Sequence, residues 1–288
     1  MINPSELVLN SDGSIYHLKL HPEQLADEVI LVGDPGRVSL ISSYFDSIDH
    51  KVENREFITH TGEFNGKGIS VLATGIGTDN IDIVLNELDA LVNVDLEKRE
   101  IKDQKRSLKL LRIGTCGSIQ KDVLADQIVL SSHAVGLDGL LNYYDWKAEQ
   151  EENEILNSFL SHCNWPDNIN TPYLVAGSNA QIERFSSIEG VNKGITLTAP
   201  GFYGPQGRSI RLKAALANQN EMFADFHHKG HRLVNYEMET SALYGLSRLL
   251  GHDAATLCLV VANRTANSFS KNYPQAMKKL VEAVLERL

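Results

Sequence analysis

The sequence predicts an α/β fold: a single three-layer α/β/α domain over residues 1–288, built on a mixed, largely parallel sheet. Three observations predict it. Short, nearly continuous apolar runs rich in β-branched residues recur along the chain, amphipathic helical stretches lie between and after them, and no Pro/Gly/Ser linker divides the 288 residues. A core serving roughly 250 residues or somewhat more is an ordinary size for one domain.

The first run, Val29–Val32, is too short for a core helix and apolar throughout, so it reads as a strand buried on both faces. The second, Ile69–Ala73, leads into Ile81, Val84, Leu85, Leu88, Leu91 and Val92, whose 3.6-residue spacing predicts a helix. Strands are expected next at Leu108–Ile113, Gln127–Ser131, Tyr173–Ala176 and Ile195–Thr198. Ala242, Leu243, Leu246, Leu249 and Leu250 then mark a helix, with Gly251 where a C-cap belongs. Thr256–Val261 is the last strand, and Met277, Leu280, Val281, Val284 and Leu285 follow Pro274 as a closing amphipathic helix. Two polar excursions, residues 93–109 and about 149–170, read as solvated surface helices or loops.

Charge narrows the function. With 27 Lys and Arg against 37 Asp and Glu, the net charge of −10 opposes nucleic acid or an anionic membrane, and no basic run is long enough to reverse that. No export signal opens the chain and no run of about 18 apolar residues occurs, so a soluble, cytoplasmic protein is expected. Cys116, Cys163 and Cys258 are odd in number without C-x-x-C spacing, which predicts reduced thiols. His227, His228 and His231 lack a completing Glu or Cys motif, so they read as a solvated helix end, and no metal site is expected.

Three successive apolar strands are expected to end in glycine-rich turns. Gly33-Asp34-Pro35-Gly36-Arg37 frees backbone N–H groups and puts an arginine at the next helix start, an arrangement suited to an anion or simply to a tight turn. Thr74-Gly75-Ile76-Gly77 allows close approach to the backbone. Arg112 stands just before Gly114-Thr115-Cys116-Gly117, and a buried guanidinium needs its charge met. A bound oxyanion would meet it, helped by the Thr115 hydroxyl, and so would a carboxylate from elsewhere in the chain; the sequence leaves both open. Ligands bind beyond the carboxyl ends of strands in open α/β sheets, so these segments are expected to line one pocket. Cys116 has no activating neighbour in sequence and is not expected to be a nucleophile.

Val32-Gly33-Asp34-Pro35-Gly36-Arg37, Thr74-Gly75-Ile76-Gly77, Arg112-Ile113-Gly114-Thr115-Cys116-Gly117 and Asn235-Tyr236-Glu237-Met238-Glu239, in that order, resemble the nucleoside phosphorylases of the uridine phosphorylase and hexameric purine nucleoside phosphorylase type. The resemblance covers nearly the whole chain. It implies a phosphate site of Gly33, Arg37, Arg55, Arg112 and Thr115, with Arg55 supplied by a neighbouring subunit. It implies a ribose site of Thr115, Met238 and Glu239, with His17 lent across the interface to the 5′-hydroxyl. Phe202-Tyr203-Gly204-Pro205-Gln206-Gly207-Arg208 resembles the uridine branch, as does Arg264, so the implied base site is Phe202, Gln206, Arg208, Glu237, Val261 and Arg264. Arg112, Glu239 and Arg208 are the implied catalytic residues.

The implied activity is phosphorolysis of uridine to uracil and ribose 1-phosphate in nucleoside salvage, with phosphate as co-substrate and no cofactor. The implied assembly is at least a dimer, and a hexamer built as a trimer of dimers is expected. Relatives hold a monovalent cation near positions matching Glu56 and Ile76, but Asn80 stands at the third, so the site is not relied upon. Other departures are the long charged 93–109 segment and the small Ala262 beside the base site, which leaves the choice among uridine, deoxyuridine and thymidine open. Without the resemblance, Glu239 reads as a helix N-terminal carboxylate and His17 as a surface histidine. A purine nucleoside phosphorylase, a nucleosidase on the same fold, and a non-catalytic nucleoside-binding protein are the alternatives.

Overall fold

The computed structural model describes every residue except Ala217. In chain order it contains β1 (Glu28–Val32), α1 (Gly36–Ser42), β2 (Ser47–Asn54), β3 (Phe57–Phe64), β4 (Lys67–Ala73), α2 (Thr78–Asn93), β5 (Val94–Asp95), β6 (Glu100–Ile101), β7 (Lys109–Ser118) and β8 (Ile128–Gly136). Then follow α3 (Gln150–His162), β9 (Tyr173–Ala176), α4 (Asn179–Ser186), β10 (Val191–Thr198), α5 (Gln219–Ala224), β11 (His227–His228), β12 (His231–Glu237), α6 (Thr240–Leu250), β13 (Asp253–Asn263), β14 (Ser268–Phe269) and α7 (Tyr273–Leu285).

One mixed sheet runs β11-β12-β10-β8-β13-β7-β1-β4-β3-β2. β4, β1, β7 and β13 pair in parallel, β8 runs antiparallel to β13, and β2 and β3 form an antiparallel edge. A further antiparallel pairing of β12 with β7, Tyr236 opposite Gly117, closes β7, β13, β8, β10 and β12 into a ring. That closure brings the carboxyl end of β12 to the carboxyl end of β7.

Both faces of the central strands are covered, as continuous apolar runs demand. Val29 and Leu31 of β1 pack with Ile81, Leu85 and Leu88 of α2 and Leu243 and Leu246 of α6. The alternate residues Ile30 and Val32 join Ile41 of α1, Phe185 of α4 and Leu280 and Val284 of α7. The three layers follow from that alternation. A third apolar cluster joins Phe159 of α3 and Phe223 of α5 to Leu197 and Leu233 of the ring strands.

Two readings of the sequence need correction, and one strand went unread. Gly114-Thr115-Cys116-Gly117 is not a turn but the second half of β7, because β13 keeps pairing with it as far as Ser118. The histidine cluster is not a helix end: His227–His228 and His231 flank a hairpin whose two turn residues, Lys229 (φ 46°) and Gly230 (φ 84°), are both left-handed. The polar edge strand β2 escapes apolar-run counting because most of its side chains face solvent. Within the 93–109 excursion, β5 and β6 form a two-stranded hairpin, and the acidic run at Glu149 caps α3.

Candidate active site

A cavity of about 740 Å³ opens where β1, β7, β12 and β13 end. Gly33, Arg37, Arg112, Thr115, Phe202, Gln206, Arg208, Glu237, Met238, Glu239 and Val261, expected to act together, all line it. Residues separated by more than 200 positions meet there because the strands that carry them run side by side.

Arg37, in the first turn of α1, is 8% exposed and donates from Nη1 to the Ile113 carbonyl on β7 at 2.8 Å. Arg112 projects from β7 and is 4% exposed. Its Nη2 donates to Glu239 Oε2, and its Nη1 lies 3.2 Å from Glu237 Oε2 and 3.4 Å from the Cys258 sulfur. The charge of Arg112 is therefore met by carboxylates, one of the two possibilities the sequence leaves open. Among the described residues, Arg37 Nε and Arg112 Nε are buried without a hydrogen-bond partner.

Burial and the nearby Arg112 charge both lower the Arg37 pKa, against an opposing influence from Tyr273. For Arg112, burial acts downward, but Glu239 and Glu237 outweigh it and hold the guanidinium above its ordinary value. Burial raises the Glu239 carboxyl, with Glu237 adding to the rise and Arg112 opposing it. Glu239 is the N-cap residue of α6, and its Oε1 accepts from the Gly77 amide at 2.8 Å, at the start of α2. One carboxylate thus ties an arginine of β7 to the ends of β4 and β12. The Glu237 carboxylate faces Arg112 and the first amides of α6, and the residue lines the cavity where the resemblance implies a base contact.

Phe202, Gln206 and Arg208 sit on the loop after β10. The Arg208 guanidinium lies 3.7 Å above the Phe202 ring centre, and Nη1 donates to Gln206 Oε1 at 2.6 Å. Burial, followed by repulsion from Arg264, pushes Arg208 down to about 10. With Oε1 engaged, Gln206 has its amide N–H groups left to offer, a narrower repertoire than donor and acceptor together. Arg264 donates to the Gln206 carbonyl and lies 5.1 Å from the Tyr236 ring centre; it braces the wall and does not line the cavity.

His17 and Arg55 lie outside the lining. They share a different patch: Asn54 donates to the His17 carbonyl at 2.8 Å, His17 Nδ1 is 2.6 Å from Glu87 Oε1, and the Arg55 guanidinium sits 5.7 Å from the Tyr16 ring centre. Arg55 holds φ 56° in the two-residue turn between β2 and β3, and its side chain is exposed. Glu56 and Asn80 converge on Gly75, beside the exposed Ile76. Among the described residues, no group of three His, Cys, Asp or Glu side chains is arranged to hold a metal.

The sequence reading missed Tyr236, Phe269 and Tyr273 as lining residues. Tyr236 stands inside a recognised block, and its role had a signal; Phe269 and Tyr273 follow the last strand with none. Cys116 also lines the cavity, and burial raises its thiol well above the ordinary value, which disfavours the thiolate.

Against known proteins, a family model described as the phosphorylase superfamily matches residues 28–288. A uridine phosphorylase of Thermococcus kodakarensis is 29% identical over 260 residues, 90% of this chain and 81% of that one. A DeoD-type purine nucleoside phosphorylase of Oceanobacillus iheyensis is 25% identical over 252 residues, 85% of each chain. A crystal structure of a Trypanosoma brucei nucleoside phosphorylase, described as showing uridine phosphorylase activity, superposes with a TM-score of 0.90 at 31% identity, covering 98% of this chain and 99% of that one. With the cavity built from the family's own sequence blocks and the match spanning the sheet and its helices, this chain belongs to the phosphorylase superfamily.

Proposed function

We propose that the protein is a uridine phosphorylase, a pentosyltransferase that cleaves uridine with inorganic phosphate to uracil and ribose 1-phosphate. One observation carries this reading. A single cavity contains two buried arginines, Arg37 and Arg112, each with an Nε that has no hydrogen-bond partner among the described residues, together with a Gln206–Arg208–Phe202 group suited to a planar base that bears carbonyl oxygens. Similarity to the Trypanosoma brucei enzyme supports the same choice.

In this reading phosphate is held by Arg37, Arg112, Thr115 and the Gly33 backbone, which fixes its approach to the anomeric carbon. Glu239 accepts from the ribose hydroxyls beside Met238. As the C–N bond breaks, positive charge grows on the sugar and negative charge on the departing uracil. The phosphate dianion offsets the first, and Arg208 with the Gln206 amide N–H groups offsets the second. Each such contact, if made mainly in the transition state, contributes roughly 2 to 4 kcal/mol. No covalent intermediate, metal or organic cofactor enters the reaction. Phe202 and Val261 flank the base.

His17 and Arg55 complete the site of a second copy, so the working unit is at least a dimer, each chain acting as one domain in cytoplasmic nucleoside salvage. Their shared patch, apart from the cavity lining of their own chain, supports that assembly.

Release of uracil from uridine, measured with and without phosphate and with inosine as a purine control, tests the reading. Phosphate-dependent release with ribose 1-phosphate formed is expected. Phosphate-independent release would instead mean a nucleosidase, and turnover of inosine alone would refute the assignment of Gln206 and Arg208.

A further inference from the structure

Arg112 faces a carboxylate, Glu237, one oxygen of which accepts from a buried threonine hydroxyl. β10 and β12 pair in parallel with Thr198 opposite Glu237, so the last residues of both strands stand side by side. The Thr198 hydroxyl donates to Glu237 Oε1 at 2.6 Å and accepts from the Ser241 amide at 2.9 Å. Thr198 is fully buried, and both functions of its hydroxyl are in use.

The rest of the Glu237 carboxylate is equally constrained. Oε2 accepts from the Glu239 and Thr240 amides, each at 2.9 Å, and faces Arg112 Nη1 at 3.2 Å, while Oε1 receives the Thr240 amide more distantly, at 3.1 Å, beside the Thr198 hydroxyl. Ser241 is anchored in turn, its hydroxyl donating to Asp138 at 2.8 Å and accepting from Tyr173 at 2.9 Å. A chain of hydrogen bonds therefore runs from part-buried Asp138 through Ser241 and Thr198 to Glu237, whose Oε2 forms an ion pair at 3.2 Å with one nitrogen of Arg112. The other terminal nitrogen of Arg112 pairs with Glu239, the carboxylate read above as turning to the sugar. Glu237 is then the partner that keeps Arg112 in place while Glu239 is engaged elsewhere.

We propose that Thr198 is a positioning residue for phosphate: by fixing the rotation of the Glu237 carboxylate it sets the direction of the Arg112 guanidinium. This inference rests on the reading of Arg112 as a phosphate ligand. A hydroxyl that served only stability would not distinguish one substrate from the other, whereas a positioning role acts on phosphate and spares the nucleoside.

Thr198→Val keeps the volume and leaves Glu237 Oε1 and the Ser241 amide each short of a partner. The KM for phosphate is expected to rise about ten-fold, the scale of a hydrogen bond to a charged group, with the KM for uridine changed less than about two-fold. Thr198→Ser restores the hydroxyl and should return the phosphate KM to near the parent value. Thermal shift with inorganic phosphate alone gives a readout independent of uridine, the stabilisation at a given phosphate concentration being smaller in Thr198→Val. If the valine protein does not fold, Glu237→Gln should show the same selective rise.

A folded variant with unchanged phosphate KM, or with both KM values raised alike, overturns the inference while leaving Arg112 as a phosphate ligand. Failure of the parent protein to respond to phosphate overturns that underlying assignment, and the inference with it. Phosphate stabilisation weakened by Thr198→Val, without uridine turnover in the parent, supports the inference and refutes only the choice of nucleoside.

Discussion

The guanidinium of Arg112 lies against the α-carbon of Gly114, so close that a Cβ there would stand 2.1 Å from Nη1. The glycine that resembles part of a phosphate-binding turn in sequence is, in the fold, the space into which a buried arginine folds back along its own strand.

Gly114→Ala is therefore expected to displace Arg112 from Glu237 and Glu239. A shift of about 1 Å in a positioning group commonly costs about 100-fold in rate, and kcat/KM for phosphate should fall at least that far. Disturbing a buried ion pair should also cost about 3 kcal/mol or more of stability by denaturant unfolding. A variant with parental kinetics would show that Arg112 need not occupy the observed position.

The sequence made the central strands readable because burial on two faces leaves no room for polar residues: Val29–Val32 and Ile69–Ala73 fall within β1 and β4. The β2–β3 edge was not readable, since a strand with one solvent face and a polar rim carries little apolar signal. Arg37 and Arg112 were visible as charges where apolar strands end. Their carboxylate partners were not, since Arg112 and Glu239 stand 127 positions apart and meet only through closure of the sheet. Phe269 and Tyr273 reach the cavity through the path of the chain after β13, which no local pattern encodes.

The base end should respond to the shape of its cation. Arg208 stacks on Phe202 and holds Gln206 with the same guanidinium, and lysine reproduces the charge without the planar stack or the fork. Arg208→Lys should lower kcat/KM for uridine about 100-fold or more, with the phosphate KM little changed. Steady-state kinetics with each substrate varied in turn would decide this. Equal activity in the lysine protein would reduce the role of Arg208 to bulk charge.

His133 makes stability fall in acid. Burial first, then the neighbouring His231, pushes it down to about 4 from an ordinary value of 6.5, against the opposing pull of Glu151 and Glu152. Above pH 6.5 the histidine is neutral in both folded and unfolded chains and contributes nothing. Between pH 6.5 and about 4 the unfolded chain takes up the proton and the folded one does not, so stability drops as pH falls, by roughly 3 kcal/mol at the lower limit. His133→Gln should flatten that part of the stability curve in denaturant titrations run from pH 7 to pH 4. An acid limb identical to the parent's would assign the loss to other groups.

The patch that carries His17 and Arg55 leads to a complementation experiment. Arg37 lines the cavity of its own chain and Arg55 does not, so if Arg55 serves the partner's cavity, the two substitutions damage different components of each site. Arg37→Ala and Arg55→Ala homodimers should both be strongly impaired. In a two-fold dimer of one subunit of each kind, one site receives both substitutions and the other receives neither. Unfolding and refolding an equimolar mixture should then restore about a quarter of the parental sites, half the dimers being mixed and half their sites intact. Activity no higher than the mean of the separate variants would mean that each chain completes its own site, and the shared-site reading of Arg55 would fall.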